Sequence, residues 1–302
     1  LPTPTGGGIG IVLTFVFCLI WLFYQGHLTL EQFYLFLIPG LVIGILGLVD
    51  DMQTLSTIKR LFFHISAAIC TLYLLGELPK ISFLGVEIIF TFFSGYLFFS
   101  LYIVWFTNLY NFMDGINGLA ITESIFLNLA FLFIFSFITL EVGSYLTLIS
   151  AFLLASSIGF VFWNFPKARI FMGDSGSGFL GITFAIMSLV SAKLDPNFLW
   201  IWLILMGVFV VDSVITLFVR LLKGHRIYEA HSSHAYQKAS RLLKSHSKVT
   251  IGVFLVNLLW LTPISFLVGL RFIDGLLGLL TAYSFLAALY FFIFFRSRNA
   301  NQ

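Results

Sequence analysis

Ten apolar runs, each close to the length of a bilayer-crossing helix, leave this chain almost no soluble fold to adopt. They cover about 8 to 24, 33 to 49, 61 to 76, 88 to 107, 119 to 140, 144 to 163, 177 to 192, 198 to 219, 249 to 270 and 274 to 295. A hydrocarbon core about 30 Å thick is crossed by roughly 20 apolar residues in a helix. Hydrophobicity that continues without period-two alternation excludes a membrane barrel. Composition agrees, with 60% hydrophobic residues and only 10% charged, against roughly 25% charged in soluble domains. The expected fold is all-α: a polytopic membrane helical bundle of about ten transmembrane helices. Several runs are short, which allows one helix to be tilted, broken or partly re-entrant.

Residues 1–302 read as a single integral-membrane domain without internal repeats. The chain opens on Leu1 and PTPTGGG, with no basic start leading into an apolar run, so this opening resembles neither a signal peptide nor a natural N-terminus. The expectation is that an upstream segment precedes it. Cys18 and Cys70 both lie in apolar runs and read as small buried hydrophobes rather than as a disulfide or a metal site.

Ten crossings place alternate connections on the same side. Of the 16 Lys and Arg residues, all but Lys80, Lys193 and Arg271 then fall in one set. By the positive-inside rule that set is cytoplasmic. It contains four polar islands: Gly47 to Arg60, Asn108 to Ala120, Asn164 to Gly178 and Arg220 to Lys248. Islands so far apart in sequence can therefore build one site. The basic residues sit where insertion demands them, so the net charge of +3 says little about partners.

Carboxylates are costly next to lipid and are there for a reason. Asp50 and Asp51 end the second run, Asp114 follows the fourth, and Asp174 stands between the sixth and seventh. Adjacent carboxylates repel, so Asp50 and Asp51 invite a cation or a shared proton. Magnesium suits such a site, because it takes oxygen ligands and is held by one or two carboxylates plus substrate phosphates. Asp174 lies in FMGDSGSG, whose glycines admit close backbone approach. A helix beginning near Ser175 would also direct its amide dipoles at phosphate. Asn108, Asn111, Asp114 and Asn117 recur every three residues, as neighbouring faces of a helical turn or polar loop would. Their oxygens and amides suit cation ligation or the reading of a base or sugar.

The last island carries Arg226, His231, His234 and further Lys and Arg residues. His231 and His234 lack a third zinc ligand at standard spacing, whereas Arg, Lys and His together suit phosphate. A loop this short, with no fold of its own, is not a nucleic-acid module. Asp212, two turns before this loop, is expected either to pair with Arg220 or Lys223 or to serve the site.

PTPTGGGIG, GLVDD, NLYNFMDGINGLA, FPKARIFMGDSGSGFLG and AHSSHAYQ occur in that order along nearly the whole chain. With them the sequence resembles the polyprenyl-phosphate N-acetylhexosamine-1-phosphate transferases, in one superfamily with the phospho-N-acetylmuramoyl-pentapeptide transferases. The resemblance implies a helix before PTPT, hence about eleven in the complete protein. It implies a bacterial inner-membrane enzyme with its active site on the cytoplasmic face. Undecaprenyl phosphate would attack the β-phosphate of a UDP-N-acetylhexosamine, giving the lipid diphosphate sugar and UMP. By motif position, Asp174 and Asn111 would hold Mg²⁺, with Mn²⁺ an allowed substitute. Asp50, assisted by Asp51, would accept or orient the lipid-phosphate proton. Asn108, Asp114 and Asn117 would line the uridine and sugar side, and His231 and His234 would contact the pyrophosphate or sugar. The expected partners are these two substrates and membrane lipids, with a homodimer left open.

Two departures qualify the resemblance. Asn117 stands where many relatives carry Asp, which favours recognition over a base role there. Ser232 stands where close relatives carry Arg, so Arg226 is expected to supply the cation. The AHSSHAYQ ending resembles enzymes that initiate O-antigen or capsule chains. Competing readings are a phospho-N-acetylmuramoyl-pentapeptide-type enzyme, a transporter or lipid flippase, and a silent scaffold. A transporter is disfavoured by the absence of a repeat and by acids gathered at one face.

Overall fold

The computed structural model describes residues 3–224 and 232–299. Every apolar run contains helix. In chain order the helices are α1 (Ile9–Tyr24), α2 (Leu30–Met52), α3 (Thr57–Leu75), α4 (Phe92–Phe112), α5 (Leu119–Thr139), α6 (Tyr145–Asn164) and α7 (Gly173–Leu194). They continue as α8 (Asn197–Leu205), α9 (Gly207–Leu222), α10 (Ala235–Leu243), α11 (His246–Gly269) and α12 (Gly275–Asn299). Among the described residues, eight helices are long and apolar enough to cross a membrane, or nine if α8 and α9 form one span. The chain is thus a multi-pass membrane protein. α1, at 16 residues, is shorter than a full crossing.

Two departures from a set of simple rods have local causes. The run from 198 to 219 is bent by 71° between α8 and α9, where the helix breaks at Met206 just before Gly207, a residue that weakens helix. The run from 88 to 107 is helical only from Phe92, and leading into it is a hairpin. Its strands β1 (Ile81–Phe83) and β2 (Val86–Ile88) pair antiparallel, Ile81 opposite Ile88. Leu84 and Gly85 both take positive φ in the two-residue turn, the geometry that matches strand twist. Helix α4 then starts after Thr91, whose hydroxyl accepts from the Ser94 amide.

Helix α7 is the axis of the bundle: 89% of its central window is buried, more than in any other spanning helix. It packs on α2 and α4, and small residues let it do so. A Cβ on Gly47 would collide with the Asp174–Ser175 backbone. Gly8 lies directly against Gly176. Close backbone approach of this kind supplies dispersion contact where lipid offers no hydrophobic drive. The N-terminal segment is fastened to the same place, with Gly7 and Gly8 donating to Phe171 O and Met172 O at 2.9 and 2.8 Å.

Interior polar pairs set the register of the remaining helices. Ser124 and Ser157 meet at 2.7 Å, and Ser150 donates to Asn128 Oδ1 at 2.8 Å, which joins α5 to α6. Glu123 on α5 accepts from Asn257 at 2.6 Å, where α11 widens into a π turn over Asn257–Leu261. Glu123 lies outside the four polar islands. It is 2% exposed inside the bundle.

Candidate active site

The ends of α2, α4 and α9 and the starts of α3, α7 and α10 meet at one end of the bundle. Between them lies a cavity of about 750 Å³. Its polar lining is Asp50, Thr57, Arg60, His64, Asn108, Asn111, Asp174 and His234. Leu46, Leu61, Leu101, Val104 and Trp105 supply apolar wall. The sequence-predicted residues Asp50, Asn108, Asn111, Asp174 and His234 are thus brought together from four parts of the chain.

Asp50 and Asp51 part company. Asp50 Oδ1 accepts from the Leu55 amide at 2.6 Å and Oδ2 from Arg60 Nη1 at 3.1 Å, closing the turn between α2 and α3. Arg60 also reaches Asp174 Oδ2 at 3.8 Å, so one guanidinium lies between two cavity carboxylates. Asp51 turns the other way. Its oxygens accept from the amides of Asp174 at 3.0 Å and Ser175 at 3.3 Å.

That bond corrects one expectation. Helix α7 begins at Gly173 rather than near Ser175, and its leading amides already hold the protein's own anions. The helix dipole and unpaired N–H groups attract whichever negative group reaches them, and the close crossing of α2 on α7 at Gly47 brings Asp51 there. Gly173 takes φ +76, and a Cβ there would meet Thr5 Oγ1 at 2.8 Å as well as the Asp51 carboxylate. Its backbone lies near Asp114. Burial pushes the Asp114 carboxyl well above the usual carboxylate range, the Asp174 and Asp51 charges push it further, and the Gly173 backbone opposes them.

The three-residue spacing of Asn108, Asn111, Asp114 and Asn117 crosses a helix end rather than following one helix. Asn108 and Asn111 belong to the last turns of α4, which ends at Phe112. Asn117 is held by its backbone, its amide donating to His246 Nδ1 at 3.4 Å and its carbonyl accepting from Thr250 at 2.9 Å. Asp114 and Asn117 do not line the cavity. Arg226 and His231 lie outside the described residues.

Asp212 pairs with neither Arg220 nor Lys223 as its main partner. Its Oδ1 accepts from His234 Nδ1 at 3.1 Å and from the Ala235 amide at 2.9 Å, and its Oδ2 accepts from the Tyr236 amide at 2.9 Å. A carboxylate buried in α9 therefore caps α10 and orients the cavity histidine in one step. The Tyr236 hydroxyl donates to Phe112 O at 2.9 Å, docking α10 on the end of α4. Burial, then the charges of Asp212 and Asp114, hold that hydroxyl well above the ordinary phenol range.

Arg60 and His64 are the cavity residues that motif reading passed over as ligands. Arg60 carried a signal, ten residues beyond Asp50 in the same island. His64 sits inside an apolar run, where only three-dimensional neighbours reveal a role, while Asp212, expected either to pair with a base or to serve the site, reaches the site through His234.

Among the described residues, no group of three or more His, Cys, Asp or Glu can hold a metal ion alone. The donor set nevertheless suits magnesium. Asn111 and Asp50 both face the Asp174 carboxyl, offering carboxylate and amide oxygens at the cavity mouth and room for substrate oxygens and water.

The sequence model of Glycosyl transferase family 4 matches residues 33–192. That stretch holds α2 to α7 and most of the cavity wall. A phospho-N-acetylmuramoyl-pentapeptide-transferase of Endomicrobium trichonymphae is 30% identical over 292 residues, covering 85% of this chain and 77% of the relative. A Bacillus subtilis protein named a probable undecaprenyl-phosphate N-acetylglucosaminyl 1-phosphate transferase is 27% identical over 264 residues, 85% and 71% of the two chains. An undecaprenyl-phosphate alpha-N-acetylglucosaminyl 1-phosphate transferase of Thermotoga maritima is 27% identical over 262 residues, 86% and 76%.

Proposed function

Because the chain belongs to glycosyl transferase family 4, we propose that it transfers N-acetylhexosamine 1-phosphate from a UDP-sugar to undecaprenyl phosphate. The observation that carries this reading is the cavity itself. Asp50, Arg60, Asn111, Asp174 and His234 gather at its polar end, and apolar walls from α2, α3 and α4 continue from them. A site for one water-soluble anionic substrate and one anionic lipid needs that polarity gradient.

In the reaction a lipid-phosphate oxygen bonds to the β-phosphorus of the donor, and the bond from that phosphorus to the bridging oxygen breaks. UMP leaves with the electron pair. A phosphate monoester has a second pKa of about 6, so the nucleophile is already largely dianionic at neutral pH and positioning matters more than a strong base. Both Asp50 oxygens accept hydrogen bonds, which supports an orienting role: Asp50 fixes Arg60, and Arg60 faces the incoming phosphate. His234, held by Asp212 through Nδ1, presents its other ring nitrogen to the pyrophosphate. Asp174 and Asn111 would hold Mg²⁺, which when bound neutralises pyrophosphate charge as the bond breaks. Asp51 keeps Asp174 in place by binding the start of α7. The Lys and Arg asymmetry supports a cytoplasmic-facing site in a bacterial inner membrane. The AHSSHAYQ ending favours initiation of an O-antigen or capsule type of glycan.

The test is UMP release by the purified protein with undecaprenyl phosphate, Mg²⁺ and a panel of UDP-N-acetylhexosamines, with UDP-N-acetylmuramoyl-pentapeptide as a separate arm. Lipid-dependent release that is lost in Asp174→Asn is the expected result. Release only with the pentapeptide donor would move the chain to the peptidoglycan reaction, the activity named for its Endomicrobium relative. A folded wild type silent with every donor would overturn the reading.

A further inference from the structure

One polar pair in the cavity has no part in the chemistry above. Asn108 on α4 places Nδ2 2.7 Å from Val104 O and 3.0 Å from His64 Nδ1 on α3. A carbonyl oxygen can only accept, so the amide end beside Val104 O is the NH₂ group, and this fixes the orientation of Asn108. Its second hydrogen then goes to His64, whose Nδ1 must be the acceptor. The ring is therefore neutral, with its proton on Nε2. Arg60, one turn earlier on the same face of α3, also disfavours a second positive charge at that place.

Both residues line the cavity one turn deeper than the charged groups. Along α4 the lining runs from Asn111 through Asn108 to Trp105 and Leu101, and along α3 from Arg60 to His64. Polarity ends at His64 and Asn108. A soluble nucleotide sugar has no reason to reach this boundary. An anionic lipid must cross it, with its phosphate among the donors and its chain along the apolar wall. A neutral N–H at the boundary can solvate phosphate without burying another charge.

We propose that His64 binds the phosphate of the acceptor lipid through Nε2–H, and that Asn108 is the positioning residue that sets its tautomer. Asn108 then acts on the lipid side rather than the sugar side expected from its motif. The inference rests on the transferase reading and deepens it.

The experiment is steady-state kinetics with each substrate varied, on wild type, His64→Leu, His64→Gln, Asn108→Leu and the double variant His64→Leu with Asn108→Leu. A hydrogen bond to a charged group contributes about 1.5–3 kcal/mol, so His64→Leu should raise the KM for undecaprenyl phosphate roughly tenfold or more. The KM for the UDP-sugar should stay unchanged. His64→Gln, which keeps a neutral N–H, should recover most of the loss, and Asn108→Leu should add little in the double variant. An unchanged lipid KM, a raised nucleotide-sugar KM, or full additivity would overturn the proposal. Should His64→Leu fail to fold, His64→Asn carries the same comparison. If wild type turns over no donor, the transferase reading fails separately. Binding of undecaprenyl phosphate, read by Trp105 fluorescence with Trp105→Phe as control, then decides on His64: weaker binding in the variant supports it, and equal binding sinks it.

Discussion

Asp50 and Asp51 show how far two neighbouring side chains of one kind can diverge once the chain folds. Asp51 is a helix cap donated from another helix, so its loss should appear as instability. Asp51→Ala should cost about 1–2 kcal/mol by analogy with other cap deletions, seen as a lower melting temperature in detergent, whereas Asp174→Asn should leave melting unchanged. Asp114 behaves differently again, because its folded carboxyl titrates above its unfolded value. As pH rises past the ordinary carboxylate range the unfolded chain gains by ionising while the folded one does not, so this group lowers stability with rising pH. In chelator, Asp114→Asn should therefore melt higher than wild type at pH 8, with the gap closing towards pH 4. A gap that widens on acidification would contradict the assigned shift.

At the scale of elements, α9 and α10 form one device. Asp212 joins them through two α10 amides and His234. Asp212→Asn keeps the size of the side chain but replaces one acceptor oxygen with a donor that faces N–H groups. It should lower kcat for UMP release and speed amide hydrogen exchange across 235–243, with little effect elsewhere in the bundle. Exchange that stays slow there would mean that α10 is held by Tyr236 and its packing on α12 alone. The small-residue crossing of α2 and α7 is the complementary case. It is rigid because backbone meets backbone, and it lets Asp51 reach the start of α7 at all.

For the whole molecule, the alternation of spans carries a topological consequence. In a background lacking Cys18 and Cys70, single cysteines placed at Lys59 and Lys167 should react with an impermeant maleimide from the same side. Cysteines at Glu87 and Glu141 should react from the other. Mixed labelling would break the grouping of the islands on which the site depends.

Much of this architecture was legible because a membrane imposes length and charge rules on sequence directly. Ten apolar runs predicted helices where helices stand, and the motifs placed Asp50, Asn108, Asn111, Asp174 and His234 at one cavity. The place of the bend at Met206 and the hairpin at 81–88 stayed hidden, since hydropathy averages over the few residues that set local geometry. What the sequence alone determined is the class of fold and the family, because bilayer thickness and ordered motifs act on short stretches of chain. What only the tertiary structure decided is the division of labour among those polar residues. Which carboxylate faces substrate and which caps a helix depends on partners more than a hundred positions away, as Asp51 and Asp174 are. Hydrogen bonds are directional and short, so those roles exist only once the helices are packed.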